Sequence, residues 1–160
     1  MAQRIAVLQM TSGIVPAENS QTIVNAVNAA SSAGATMLFT PEMSGLLDRA
    51  RAAAARSGLW VALGSLAVLR EDGRYANRSF VIDGSGAIVA RYDKIHMFDV
   101  DLANGESWRE SAAYAPGEVV TTADTPIGRL GLAVCYDLRF PHLYRTLAKA
   151  GADFLAIPSA

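Results

Sequence analysis

The chain contains one cysteine, Cys135, in the segment Arg129-Leu-Gly-Leu-Ala-Val-Cys-Tyr-Asp-Leu-Arg-Phe-Pro-His142. A thiol becomes a nucleophile when a positive environment ionises it or a nearby base takes its proton. Leu130 to Val134 is an apolar run too short for a helix, punctuated in front by Pro126 and Gly128, so it reads as a strand with Cys135 at its carboxyl end. Beyond it, Pro141 suits the first turn of a helix that carries Leu143, Leu147 and Ala150 at helical spacing and closes at Gly151. A thiol at that junction faces the positive end of a helix, which favours a thiolate. Backbone N–H groups there, that of Tyr136 among them, can point at an anion. The same residues also permit a buried free cysteine that acts only as a small hydrophobe.

Other side chains offer chemistry. Glu42, in Thr40-Pro-Glu-Met, stands at the carboxyl end of a core strand, the edge on which open α/β sheets place their ligand crevices. Partly buried there, it would be a general base; alone, Pro41-Glu42 reads as a solvated loop carboxylate. Lys94, after the strand that ends in Arg91-Tyr-Asp, reads singly as a surface lysine. Near Cys135, its ammonium would lower the thiol pKa and neutralise charge on a carbonyl oxygen under attack. Glu110, in Trp108-Arg-Glu-Ser111, is a loop charge or a second carboxylate holding Lys94 or the substrate. A cysteine–histidine dyad would need His96 or His142, but His96 reads as packing within its loop and His142 as capping a helix or facing solvent. Asp99 and Asp101 lack a third oxygen ligand nearby and read as loop-ordering residues, so no metal site is expected.

The elements that must position these groups follow from the periodicities. Arg4 to Met10 and Thr36 to Phe39 read as strands joined by a helix from Ala17 to Ala33, with Ile23, Val27 and Ala30 on one stripe. Leu47 to Ser57 is a second helix ending at Gly58, followed by a buried strand from Leu59 to Leu63. Strands at Ser65 to Leu69, Tyr75 to Ile82 and Ala87 to Tyr92, separated by Glu71-Asp-Gly-Arg and Asp83-Gly-Ser-Gly, read as an inserted antiparallel meander. From Asp93 to Gly117 periodicity disappears, as in functional loops. Val119 to Thr122 and Phe154 to Ile157 supply further strands.

At 160 residues the chain is one domain, residues 1–160, long enough to bury roughly two-thirds of its extended-chain surface. With 51% hydrophobic and 18% charged residues and a net charge of −1, neither disorder nor a nucleic-acid-binding patch is indicated. A single cysteine makes no internal disulfide, which points to a reducing cytoplasm. No apolar stretch approaches the ~20 residues needed to span a bilayer, and Met1-Ala-Gln-Arg leads into a strand without a signal-peptide core, so no membrane partner is expected.

Thr40-Pro-Glu-Met, Tyr92-Asp-Lys-Ile-His-Met-Phe-Asp-Val-Asp101, Glu110-Ser and Val134-Cys-Tyr-Asp-Leu-Arg-Phe-Pro141 together resemble, in order, the signature segments of the nitrilase superfamily of carbon–nitrogen hydrolases, closest to its ω-amidase and deaminated-glutathione amidase branch. The resemblance implies an α/β fold, a nitrilase-like α-β-β-α sandwich here without its C-terminal portion, and a homodimer or larger homo-oligomer. It implies a triad of Glu42 as general base, Lys94 as oxyanion-stabilising cation and Cys135 as nucleophile, with Glu110 and the Tyr136 N–H serving substrate and oxyanion. Arg139 would form a structural salt bridge. The implied reaction converts a small-molecule amide to an acid and ammonia through a cysteine thioester, with no cofactor. A nitrile or N-carbamoyl hydrolase would use the same triad, and a non-catalytic remnant would keep the sheet edge as an assembly module.

Overall fold

A computed structural model describes residues 3–160; Met1 and Ala2, with the reading of the leading Met1-Ala-Gln-Arg, lie outside the described residues. The first half builds one sheet. Strands β1 (Ile5–Val7), β2 (Met37–Phe39) and β3 (Trp60–Leu69) are parallel and joined through helices α1 (Pro16–Ser32) and α2 (Leu47–Ser57). Strands β4 (Tyr75–Ile82) and β5 (Ile88–Asp93) then add antiparallel, giving the order β1-β2-β3-β4-β5. The meander is therefore no insertion but the continuation of the parallel strands.

Two expected strands are one. Leu59–Leu63 and Ser65–Leu69 fuse into the ten-residue β3, with a register slip against β4 between Leu63 and Leu66. Gly64 breaks the apolar run in sequence, yet its lack of a side chain serves a close backbone approach rather than a turn. The segment after β5 holds a short hairpin, β6 (Asp99–Asp101) with β7 (Ser107–Arg109), so it is less irregular than its composition suggests. The second sheet runs β10-β9-β8, from β8 (Thr122–Thr125), β9 (Gly128–Leu132) and β10 (Phe154–Ala156), with α3 (Pro141–Lys149) crossing between the parallel β9 and β10. β8 lies three residues later than the expected Val119–Thr122.

Alternation along the strands assembles four layers. Leu38, Val61, Leu63, Phe80 and Ile82 point to Ile23, Val27 and Ala30 of α1 and to Ala50, Ala53 and Ala54 of α2, whose small side chains let that helix lie close. On the opposite face Met37, Ala62, Val81 and Tyr92 meet Ala123, Leu130, Leu132 and Val134 of the second half. Ala133, Leu143 and Leu147 seal α3 onto the second sheet. The order is helices, sheet, sheet, helix. At the open side, β1 and β10 leave Ile5, Val7, Phe154 and Leu155 exposed along their sheet edges.

Candidate active site

Glu42 lies just past β2 in a loop stitched to the irregular part of β3. The Thr40 Oγ1 accepts the Gly64 N–H at 3.0 Å, Met43 N–H donates to Ser65 Oγ at 3.1 Å, and Ser44 N–H donates to Ser65 O at 3.1 Å. The Thr40 and Pro41 carbonyls press against the Cα of Gly64, where any side chain would collide with them. This packing buries the Glu42 carboxylate, only 6% exposed, against the solvated reading that Pro41-Glu42 supports alone.

Lys94 follows β5 and is anchored by its own backbone, its N–H donating to Asn77 O at 2.9 Å and its carbonyl accepting from Gly117 at 2.8 Å. Its ammonium is buried, 2.7 Å from Glu110 Oε2 and 3.8 Å from Glu42 Oε1. Glu110 opens a 3-10 turn, Glu110–Ala112, and its Oε2 also accepts the Phe98 N–H at 2.7 Å. The irregular loop thus carries the second carboxylate back to Lys94.

Cys135 is half-buried and begins a 3-10 turn, Cys135–Arg139, that separates it from α3. Its backbone takes the left-handed φ of 47°, and its N–H donates to Pro158 O at 2.9 Å. The expected placement at the mouth of α3 is therefore corrected: the helix starts at Pro141, beyond the turn. The expected thiolate is corrected too. Burial pushes the thiol pKa up, the nearby Glu42 carboxylate pushes it further, and Lys94 and Ser159 only partly oppose them. A carboxylate close to sulfur favours the protonated thiol, and the Lys94 ammonium is engaged by Glu110.

The turn itself is held by Asp137, fully buried. Its carboxylate accepts the Val134 N–H at 2.9 Å, the Tyr92 hydroxyl at 2.7 Å and the His96 N–H at 3.0 Å, with His96 Nδ1 at 2.7 Å. Tyr92 and His96 flank Lys94, so one carboxylate ties the Lys94 strand end to the Cys135 turn. The Tyr136 N–H occupies the second position of that turn, where the turn's own geometry offers no acceptor. Its ring sits edge-on to Phe98 and Phe140, and His96 stacks on Phe140 at 3.6 Å.

Glu42, Lys94, Glu110 and Cys135 therefore converge. His96 packs in its loop and His142 faces solvent; Asp99 and Asp101 order the β6–β7 hairpin through Ser111, Ser107 and Arg109. Arg139 is exposed and makes no ion pair among the described residues, so the expected salt bridge is not formed. Two contributors escaped the sequence reading. Asn77 donates to Glu42 Oε1 at 2.7 Å and to Glu110 Oε1 at 3.4 Å; its only signal was a carboxamide within the strand Tyr75–Ile82. Asp137 was visible only as a neighbour of Cys135.

Residues 4–160 match the family model described as carbon-nitrogen hydrolase. The chain is 37% identical over 178 residues to a deaminated glutathione amidase of Yersinia enterocolitica, covering 98% of this chain and 62% of that protein. The C. elegans NitFhit protein superposes with a TM-score of 0.90 at 32% identity, over 100% of this chain and 45% of that one. An amidase variant from Nesterenkonia sp. AN1, bearing the acetamide moiety of fluoroacetamide on its active-site cysteine, superposes at 0.86 with 26% identity, over 98% of this chain and 64% of that one. The chain thus spans about three-fifths of its Yersinia relative. By sequence model, identity and a nitrilase-type layered α/β fold, the chain belongs to the carbon–nitrogen hydrolase family.

Proposed function

We propose that this chain carries the reaction centre of a cysteine amidase that cleaves a non-peptide carbon–nitrogen bond in a small carboxylated amide. Glu42 accepts the Cys135 proton as sulfur attacks the amide carbon. The resulting oxyanion is met by the Lys94 ammonium and the Tyr136 N–H. The carbon–nitrogen bond breaks, the proton held by Glu42 leaves with nitrogen as ammonia, and a thioester remains. Glu42 then takes a proton from water as the water oxygen adds to the thioester carbon. The carbon–sulfur bond breaks, the proton returns to sulfur, and the acid departs. Glu110 holds Lys94 and borders the substrate.

The observation that carries this reading is the convergence on the Cys135 thiol of the buried Glu42 carboxylate, whose charge raises the thiol pKa, and the Lys94 ammonium, 3.8 Å from that carboxylate, whose charge lowers it. A thiol whose pKa is raised needs such a base, because proton transfer must accompany attack. The Yersinia relative's name supports deaminated glutathione as a substrate. A free-thiol nucleophile suits the cytoplasm. Ammonia release from deaminated glutathione and α-ketoglutaramate tests the reading, with nitrile and N-carbamoyl compounds in parallel; activity surviving Cys135→Ala rejects it.

The exposed Ile5, Val7, Phe154 and Leu155 favour a second reading, in which these sheet edges serve homo-oligomer assembly. As a purely non-catalytic module, the chain would show a Cys135 that reacts with iodoacetamide no faster than a free thiol.

A further inference from the structure

We propose that Asn77 is a positioning residue of this centre: its carboxamide holds Glu42 and Glu110 on either side of Lys94 and keeps Glu42 able to take the thiol proton. The inference rests on the amidase reading. Asn77 lies on β4, is 3% exposed, and faces the candidate site among strand neighbours that are mostly apolar. Its Nδ2 is shared between Glu42 Oε1, at 2.7 Å, and Glu110 Oε1, at 3.4 Å, while its own carbonyl receives the Lys94 N–H at 2.9 Å. One residue therefore touches all three charged members of the centre.

The charges explain why a carboxamide stands there. The buried Glu42 carboxylate and the part-buried Glu110 carboxylate share one ammonium, so their excess of negative charge has to be met by neutral donors. Only the NH₂ edge of Asn77 can face carboxylates; the opposite edge would set oxygen against oxygen. The amide is thereby turned so that Oδ1 is buried with no partner among the described residues. A buried orphan acceptor is costly, and a side chain serving only to fill the strand would not retain one. Its persistence marks the NH₂ edge as the required part.

The test follows the pH dependence of Cys135 alkylation by iodoacetamide in the folded chain, read by mass spectrometry, for the wild type, Glu42→Gln, Asn77→Leu and Asn77→Ala. A carboxylate that loses a donated hydrogen bond binds its proton more readily, so the low-pH limb of the rate profile moves up by roughly one pH unit in both Asn77 variants. Wild-type alkylation no faster than a free thiol, and unchanged by Glu42→Gln, would overturn the amidase reading itself. Fast, Glu42-dependent alkylation with an unmoved limb in folded Asn77 variants overturns only the role of Asn77. Failure of both variants to fold overturns it as well, because Asn77 would then be a structural residue.

Discussion

The Lys94 ammonium is held by Glu110 rather than by Glu42: its Nζ stands 2.7 Å from Glu110 Oε2 and 3.8 Å from Glu42 Oε1. The short pair fixes the cation, and Glu42 keeps capacity to accept a proton from the Cys135 thiol. Lys94→Gln should lower ammonia release by roughly 10²–10³-fold, the effect of removing one oxyanion-stabilising group. It should also cost about 3–5 kcal/mol of stability, since the buried Glu42 and the part-buried Glu110 lose their counter-charge. Steady-state kinetics and urea unfolding read both effects; activity within a few-fold of wild type would falsify the role given to Lys94.

Gly64 sets the position of Glu42 from the neighbouring strand. A methyl group there would collide with the Thr40 and Pro41 carbonyls, and the loop carrying Glu42 would have to move. Gly64→Ala should therefore cost roughly 1–3 kcal/mol and also slow Cys135 alkylation through the displaced Glu42 loop. A stable variant that alkylates normally would show that the loop tolerates the displacement.

Asp137 joins the Lys94 strand end to the nucleophile turn through Tyr92, His96 and Val134. Asp137→Asn keeps the shape but turns an NH₂ group toward these donors. The expected loss is about 3–5 kcal/mol in urea unfolding, the range for breaking a buried charged network. Tyr92→Phe, which removes one donor and leaves the carboxylate its others, should cost only about 1–3 kcal/mol. Equal losses in the two variants would place the effect in packing rather than in the carboxylate.

Stability should fall on the alkaline side. Burial beside Asp137 drives the Tyr92 hydroxyl pKa far up, Tyr144 is pushed up to about 12, and Tyr114 and Cys135 are raised as well, in each case by burial first. Each group holds its proton more tightly folded than unfolded. Their contribution is thus complete below the unfolded values, roughly pH 8.5 for a thiol and 10 for a phenol, and is lost as pH climbs toward the folded ones. Urea midpoints should decline above about pH 9, less steeply in Tyr92→Phe. A flat profile between roughly pH 8 and 11 would contradict this assignment.

Much of the architecture was legible from periodicity. The boundaries of α2 and β4 are those read from the apolar spacing and from Gly58, which takes the left-handed φ of 69° that ends a helix. The reading failed where a glycine had a tertiary purpose. Gly64 looks like a break between strands, and only the neighbouring Thr40–Pro41 backbone shows why β3 runs through it. Short edge strands were overextended, as with Arg4–Met10, where pairing with β2 holds just Ile5–Val7.

The candidate site divides in the same way. Cys135, Glu42, Lys94 and Glu110 were identifiable in the chain because reactive residue types stand at strand ends and in a charged loop within an ordered set of motifs. Which carboxylate holds the lysine, whether the thiol is charged, and that Asn77 and Asp137 take part were decided by the folded arrangement. The reason is physical: these properties depend on burial and on distances of a few ångströms between segments remote in sequence, and electrostatic coupling acts through space rather than along the chain.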